Sequence, residues 1–315
     1  MVRRMGRECL DRLAEPLVGG VHASDPSQMS LAATFPNLLE MEQKHGSLVR
    51  GFLAQRKQIE EMKRKHPPKP GAKPRTFFAS FHDGMGHLTA KMAEAIGHDR
   101  VRTGVAATAI ERLTDGQWNV TLDSGEVLTA DAVIVATEVW AAAKAVRSVD
   151  ERLGELLDTI PCSSSATVPM AFAAEDCPFD TRWFGFLSPL VENRPLLAAT
   201  LTSSKWPDRA PAGTVLLRGF LGGPRNQRIL GGSDEELIET VRAQLVELLG
   251  IRPDAKPLFA RVFRWNLGMP QYTMGHLDRV DEIEARVGAL QGFALAGGAY
   301  RGVGIPNCIE GGERA

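Results

Sequence analysis

The 315-residue sequence is poor in the features that place a protein in a class at first sight. Cysteine is scarce: Cys9, Cys162, Cys177 and Cys308 are scattered, with no CxxC pair. That argues against a disulfide framework or a zinc site and fits a reducing compartment. Net charge is −1, so no global field points to nucleic acid or another polyanion. No apolar run approaches the about 18 residues of a membrane-crossing helix. The opening MVRRMGRECLDRLAEPLVGG carries arginines without an apolar stretch behind them, and it reads as an amphipathic helix rather than a signal peptide. HExxH and GxSxG are both missing, and SSS at 163–165 sits at a strand entry, where serine is ordinary. No carboxylate pair stands out from the surface charges. Hydrolytic, metal-dependent and side-chain acid–base chemistry therefore lack positive support.

What is present is an ordinary globular mixture, 43% hydrophobic and 24% charged, enough for one large domain or two of usual size. Met1 to about Arg56 reads as helical, broken at Gly19-Gly20 and by a turn at Asp25–Ser27. Within it, Leu38, Leu39, Met41, Leu48, Val49, Phe52 and Leu53 fall roughly on one helical face. Residues 56–75 carry eight Lys/Arg against two Glu and end in prolines and glycine. They read as a solvated helix end and linker, or as a surface for anionic lipid or nucleic acid.

Beyond them, TFFASFHDGMGHLTAKMAEAIG reads as a short strand, a glycine turn and a helix. VRTGVAATAIERL, QWNVTLDSGEVLTA and DAVIVAT read as three or four strands, two of them joined as a hairpin at Asp123–Gly125. AVIVAT is apolar on both faces, the pattern of a central strand in a covered sheet, and a helix over 138–146 follows it. Residues 164–220 are again β-rich. Residues 233–250 form a helix signalled by Ser233 as N-cap and Glu236 completing a capping box. PLFARVFRW is a strand, GHLDRVDEIEARVGAL a helix and FALAGG a last strand. This alternation predicts an α/β or mixed α+β protein of two interleaved parts.

HDGMGH (82–87) mimics the opening of a dinucleotide fold, but Thr89 stands where a third glycine belongs. No acidic residue ends a second strand at the expected offset. The plain strand-to-helix turn is the better reading, and His82 and His87 point to different helix faces, unlike a metal pair. Two other stretches are unusual. RWNLGMPQYTMGHLDRV (264–280) places Trp265 at a strand end before a Met-Pro loop. AYRGVGIPNCI (299–309) puts a glycine loop between a strand and a helix. Ligands of α/β folds sit beyond the carboxyl ends of strands, often at a helix N-terminus, so both suit a flat cofactor. An ordinary core tryptophan and a mere turn remain the alternative.

These stretches, with EPLVGGVHASDPSQMSLAATFPNLLEMEQKHGSLVRG, FHDGMGHLTAKMAEAIG, SSKWPDRAPAGTVLLRGFLGG and AGGAYRGVGIPNCIEGG, run in order along the chain. They resemble the oxygen-dependent protoporphyrinogen/coproporphyrinogen oxidases of haem biosynthesis, FAD enzymes of the amine-oxidase-like group. The resemblance implies that Val105, on the strand after VRTG, contacts the adenosine end of FAD through its backbone. It implies that Trp265 lies near the flavin, and that Val303, Gly304 and Ile305 form the loop beside the flavin and ribityl chain. Leu187, Leu201 and Phe220 match positions lining the tetrapyrrole pocket. The implied organisation is a helical cap and substrate region (1–75), an FAD-domain segment (76–147), a substrate-binding mixed-sheet domain (148–262) and a C-terminal FAD-domain segment (263–315).

The family pattern opens with a strand, a true GxGxxG loop, an acidic ribose ligand and an arginine-rich turn, none of which this sequence contains. It is similar to the C-terminal two-thirds of such an enzyme, a partial FAD-binding domain without its N-terminal Rossmann βαβ unit. Weak or no FAD binding is the matching expectation. The implied reaction converts a porphyrinogen to a porphyrin with O2 as acceptor, in the cytoplasm, with a homodimer and peripheral membrane contact among the expected associations and nucleic acid excluded. Another amine-oxidase-like flavoenzyme, a non-catalytic fragment and a basic binding module are the rival expectations.

Overall fold

The computed structural model describes residues 6–66, 78–224 and 226–315. Helix α1 (Glu15–His22) opens the part that concerns the site. It continues through Gly19 and Gly20, which the sequence reading took for a break, and ends at Ala23, whose φ is +44°. The glycine at 20 serves packing: a Cβ there would lie 2.8 Å from Leu187 Cδ2. Helices α2 (Pro36–His45) and α3 (Leu48–Lys65) replace the single apolar face expected over 38–53. Gly46, at φ +67°, separates them, and Gly51 lets α3 close on Met41. Residues 67–77, most of the proline-rich part of the basic tract, lie outside the described residues.

The strand expected ahead of HDGMGH is not formed over 78–81. The Phe81 carbonyl accepts instead from the Arg209 guanidinium at 2.6 Å. Helix α4 (Gly86–Ile96) follows. Strands β1 (Ala107–Arg112), β2 (Trp118–Leu122) and β3 (Val127–Ala130) form an antiparallel meander with the hairpin at Asp123–Gly125 as expected. Strand β4 (Val133–Val135) leads into α5 (Val139–Val146). Helix α6 (Glu151–Asp158) was missed in the sequence. Its start is signed by Asp150, which accepts from the Leu153 N–H at 3.0 Å.

A six-stranded antiparallel sheet follows, ordered β10-β5-β8-β7-β6 with β9 also on β5. Its members are β5 (Cys162–Ala173), β6 (Gly185–Leu187), β7 (Ala198–Leu201), β8 (Thr214–Gly222), β9 (Phe259–Ala260) and β10 (Phe263–Pro270). Helix α7 (Asp234–Leu249) lies on one face. Its capping box is complete: Ser233 Oγ accepts from the Glu236 N–H, and Glu236 accepts from the Ser233 N–H at 2.8 Å. Leu237, Val241 and Leu245 pack onto Val168, Met170, Leu217 and Leu221. Burial of those three helix side chains contributes on the order of 6 kcal/mol. Gly219 permits the close approach, since a Cβ there would sit 2.5 Å from Val241 Cγ1.

Helix α8 (His276–Gly288), strand β11 (Phe293–Leu295) and helix α9 (Ile305–Arg314) complete the chain. Strand β11 pairs parallel with β4, Val135 opposite Leu295. Between this pair, α5, α6 and α8 lies a second core, where Trp118 meets Phe293 at a ring separation of 5.2 Å. The pair is not covered on both faces as AVIVAT had suggested: Ile134 is 56% exposed.

Candidate active site

Parallel pairing brings the carboxyl ends of β4 and β11 to one edge. Beyond that edge is a cavity of about 230 Å³, walled in part by Ala136, Thr137, Leu267, Gly268, Gly297 and Gly298. Carboxyl ends of parallel strands are where α/β folds hold ligands, because the chain turns away there and leaves a crevice. Gly297, at φ +122°, has open space where a Cβ would project, so only a glycine gives this wall its shape.

The glycine loop after β11 is held by a staple the sequence reading did not identify. Tyr272 Oη donates to the Gly298 carbonyl and accepts from the Gly302 N–H, both at 2.7 Å, so one hydroxyl ties both ends of the loop. Its ring stacks on His276 with centroids 4.0 Å apart and planes at 15°. His276 is fully buried, and its Nε2 reaches the Tyr300 carbonyl at 2.8 Å, inside the loop. A carbonyl only accepts, so Nε2 carries the proton. Burial pushes the imidazole pKa below its ordinary 6.5, with the carbonyl opposing and Arg279 and Arg301 adding to the depression. His276 is therefore neutral near pH 7, and Nδ1 has no hydrogen-bond partner among the described residues. Burial pushes Tyr272 up to about 12, keeping the hydroxyl protonated. A signal was available: the chain has only two tyrosines, Tyr300 within this loop and Tyr272 stapling it from the segment between β10 and α8.

Strand β10 connects the cavity to the sheet. It pairs with β5 in regular register to Trp265, then slips before Met269. The slip is a bulge in which Leu267 takes φ +49°, a conformation strained for a branched side chain. Its N–H donates to Ser164 Oγ at 2.9 Å, and Leu267 and Gly268 enter the cavity wall. Trp265, immediately before the slip, is 56% exposed rather than a core residue.

Side-chain alternation fixes which face Trp265 occupies. Arg264 bonds the Gly232 carbonyl at 2.7 Å and Asp234 at the start of α7, so residue 264 points to the helix side. Phe263 and Trp265 point to the other side. Register then carries one row across this open face: Phe263, Thr167, Phe220, Ala198 and Leu187. Two residues expected from the resemblance to line a pocket, Leu187 and Phe220, thus share one face with Trp265. The third does not. Leu201 pairs with Leu217 on the helix side and is fully buried in that core, three residues from Ala198 and hence of opposite parity.

The remaining expected residues stand apart from the cavity. Gly304 is the N-cap of α9, with Ile305 exposed at its first turn and Val303 half-buried before it. None of the three lines the cavity. Val105 is not on a strand: it lies two residues ahead of β1, exposed, next to Gly104 at φ +74°. Among the described residues, no group of three or more His, Cys, Asp or Glu side chains could hold a metal ion. His82, next to the glycine turn, is paired with Asp83 at 3.1 Å, which raises its pKa. Among the described residues no helix is long and apolar enough to cross a membrane.

An antiparallel sheet, not the mixed sheet expected for the substrate domain, carries an open substrate-sized face and is joined through one bulged strand to a crevice at parallel strand ends, which defines a cofactor-and-substrate fold of the flavoprotein kind. Comparison with known proteins makes the assignment: the family model described as flavin containing amine oxidoreductase matches residues 2–315, and the chain belongs to that family. It is 32% identical to a coproporphyrinogen III oxidase of Bacillus subtilis, over 99% of this chain and 64% of that protein. It is 31% identical to the chloroplastic protoporphyrinogen oxidase 1 of Spinacia oleracea, over 98% of this chain and 57% of the relative. A crystal structure assigned as a protoporphyrinogen oxidase from Exiguobacterium sp. 255-15 superposes with a TM-score of 0.82 at 29% identity, covering 100% of this chain and 64% of that one. The chain thus spans about three-fifths of the length of the relatives it matches.

The cavity residues fit a flavin ring system. Gly268, Gly297 and Gly298 leave a wall of bare backbone against which a flat ring can lie, and Ala136 and Leu267 add apolar contacts. Backbone groups left at the strand ends offer the polar edge contacts such a ring requires.

Proposed function

We propose that the protein oxidises a porphyrinogen, protoporphyrinogen IX or coproporphyrinogen III, to the porphyrin in haem biosynthesis, with FAD as cofactor and O2 as acceptor. One observation carries the reading. Strand β10 presents Trp265 on the open sheet face and, two residues later, Leu267 in the glycine-walled cavity, so a macrocycle on the face adjoins a ring in the cavity. The names of the relatives supply the substrate class.

When bound, a flavin supplies two-electron oxidation chemistry, with H2O2 as the reduced product of O2. The chain's own residues bind and orient. Trp265 stands between the two ligands, while Phe220 and Leu187 give an apolar row for the macrocycle. Tyr272 and His276 hold the loop that forms one cavity wall, and neither carries a proton at a reacting atom. Val303, Gly304 and Ile305 would hold the cofactor beside the flavin and ribityl chain, and Val105 would meet its adenosine end through the backbone. This division of labour suits a sequence without an acid–base pair, since the cofactor carries the chemistry. We place the protein in the cytoplasm, and helix α3 supports peripheral membrane contact: Val49, Phe52 and Leu53 are exposed beside Arg50, Arg56 and Lys57.

Supplying FAD and porphyrinogen to the purified protein tests the reading. Porphyrin fluorescence should appear faster than spontaneous oxidation, with H2O2 accumulating alongside. Amine substrates giving H2O2 while porphyrinogen gives none would replace it with a different flavin oxidase.

A further inference from the structure

Among the described residues, the strands of the six-stranded sheet place cations but no acid on its open face. Continuing the register one row away from Trp265 beyond Phe263, Arg261 lies opposite Pro169, and Pro169 opposite Arg218. Parity places both arginines on the open face. Arg261 is two residues from Phe263, and Ala260 and Val262, on either side of Arg261, pack into the helix-side core. Arg218 is two residues from Phe220, flanked by Leu217 and Gly219 on the helix side. Both arginines are exposed, and among the described residues neither is in an ion pair. The Arg261 guanidinium rests 5.0 Å from the centroid of the Phe263 ring, which orients it without neutralising it. The rows of this face run Phe259–Ala171–Leu216, Arg261–Pro169–Arg218–Thr200, Phe263–Thr167–Phe220–Ala198–Leu187 and Trp265–Ser165–Gly222.

We infer that Arg218 and Arg261 are the anchors for the carboxylate side chains of the substrate, a specificity device built into the sheet. The inference rests on the porphyrinogen reading above. An arginine without a carboxylate partner on an apolar face is a site waiting for an anion, because its planar fork matches a carboxylate's two oxygens. Adjacent strands are about 4.8 Å apart, so the two Cα atoms are about 10 Å from each other across β5. A rise of about 3.4 Å per residue sets them about 14 Å along the strand from Trp265. The arrangement suits a flat apolar body lying over Phe263 and Phe220, one edge at Trp265 and its carboxylates at the arginine row. Acidic side chains are on the macrocycle's periphery, so the pair fixes which edge faces the cavity.

The test titrates the chain with coproporphyrin III and with its tetramethyl ester, reading tryptophan quenching and the porphyrin absorbance band. R218Q and R261Q should each weaken binding of the free acid about tenfold, and the double variant about 100-fold, as expected for lost charge-assisted bonds. Binding of the ester should be the same in all four proteins, and R218K/R261K should recover most of the affinity for the acid. Both sites are exposed, and circular dichroism checks that each variant is folded. Wild type that binds acid and ester equally, or a double variant within about twofold of wild type for the acid, overturns the anchor assignment alone. Wild type that binds neither porphyrin overturns the porphyrinogen reading and this inference together.

Discussion

Replacing Tyr272 with phenylalanine isolates the staple on the glycine loop. Phenylalanine keeps the stack on His276 and removes only the hydroxyl, so the lost contacts are the bond to the Gly298 carbonyl and the bond from the Gly302 N–H, both 2.7 Å. Each is worth about 1 kcal/mol net, and each leaves a backbone group without its partner, so the total cost is about 2–3 kcal/mol. The upper end applies if the freed groups stay dry. The adjoining cavity at Gly297–Ala299 admits water and favours the lower end. For a chain of this size that loss lowers the thermal midpoint by about 3–5 °C. The assay is thermal unfolding at pH 8, where His276 is neutral in both proteins, together with a flavin titration of each. Y272F should also bind flavin more weakly, because the wall at Gly297 and Gly298 is no longer fixed. A midpoint within about 1 °C of wild type and an unchanged flavin affinity would refute the staple.

Other consequences are as specific. Because burial lowers the folded-state pKa of His276 below 6.5, the unfolded chain binds that proton first. Stability from this group is full above 6.5 and falls as pH drops through that value, by at most about 1.4 kcal/mol per pH unit, and urea midpoints of H276Q should show a shallower fall between pH 7.5 and 5 than wild type. L201A should cost about 2–4 kcal/mol in urea unfolding and leave porphyrin affinity unchanged, whereas F220A should lose porphyrin affinity with a smaller stability change. F52E with L53E should abolish co-sedimentation with vesicles of phosphatidylserine and phosphatidylcholine and leave the melting curve unchanged, since both side chains are exposed.

Much of the architecture was legible because local signals agreed with their surroundings. The helix over 234–249 was announced by Ser233 and Glu236, and the meander by a hairpin turn between alternating strands. Errors arose where tertiary contact overrides local chemistry. Gly19 and Gly20 look like a helix stop, but the helix needs a bare surface against Leu187. Leu201 and Phe220 are equally apolar, and only strand register shows that they face opposite sides of one sheet. Trp265 and the glycine loop were visible as unusual. Tyr272 and His276 were not, because a staple is a relation between residues distant in sequence. Leu267 was hidden for a related reason: the bulge that aims it depends on its pairing with β5.

The central claim is that Trp265 stands where the macrocycle face meets the flavin cavity. Its most direct test follows porphyrin fluorescence from porphyrinogen, with FAD supplied, in wild type and W265A. Wild type should generate porphyrin and H2O2 together over three rounds of oxidation, and W265A should lose most of the rate while remaining folded. A wild-type rate no faster than the protein-free control, or a W265A rate equal to wild type, would contradict it.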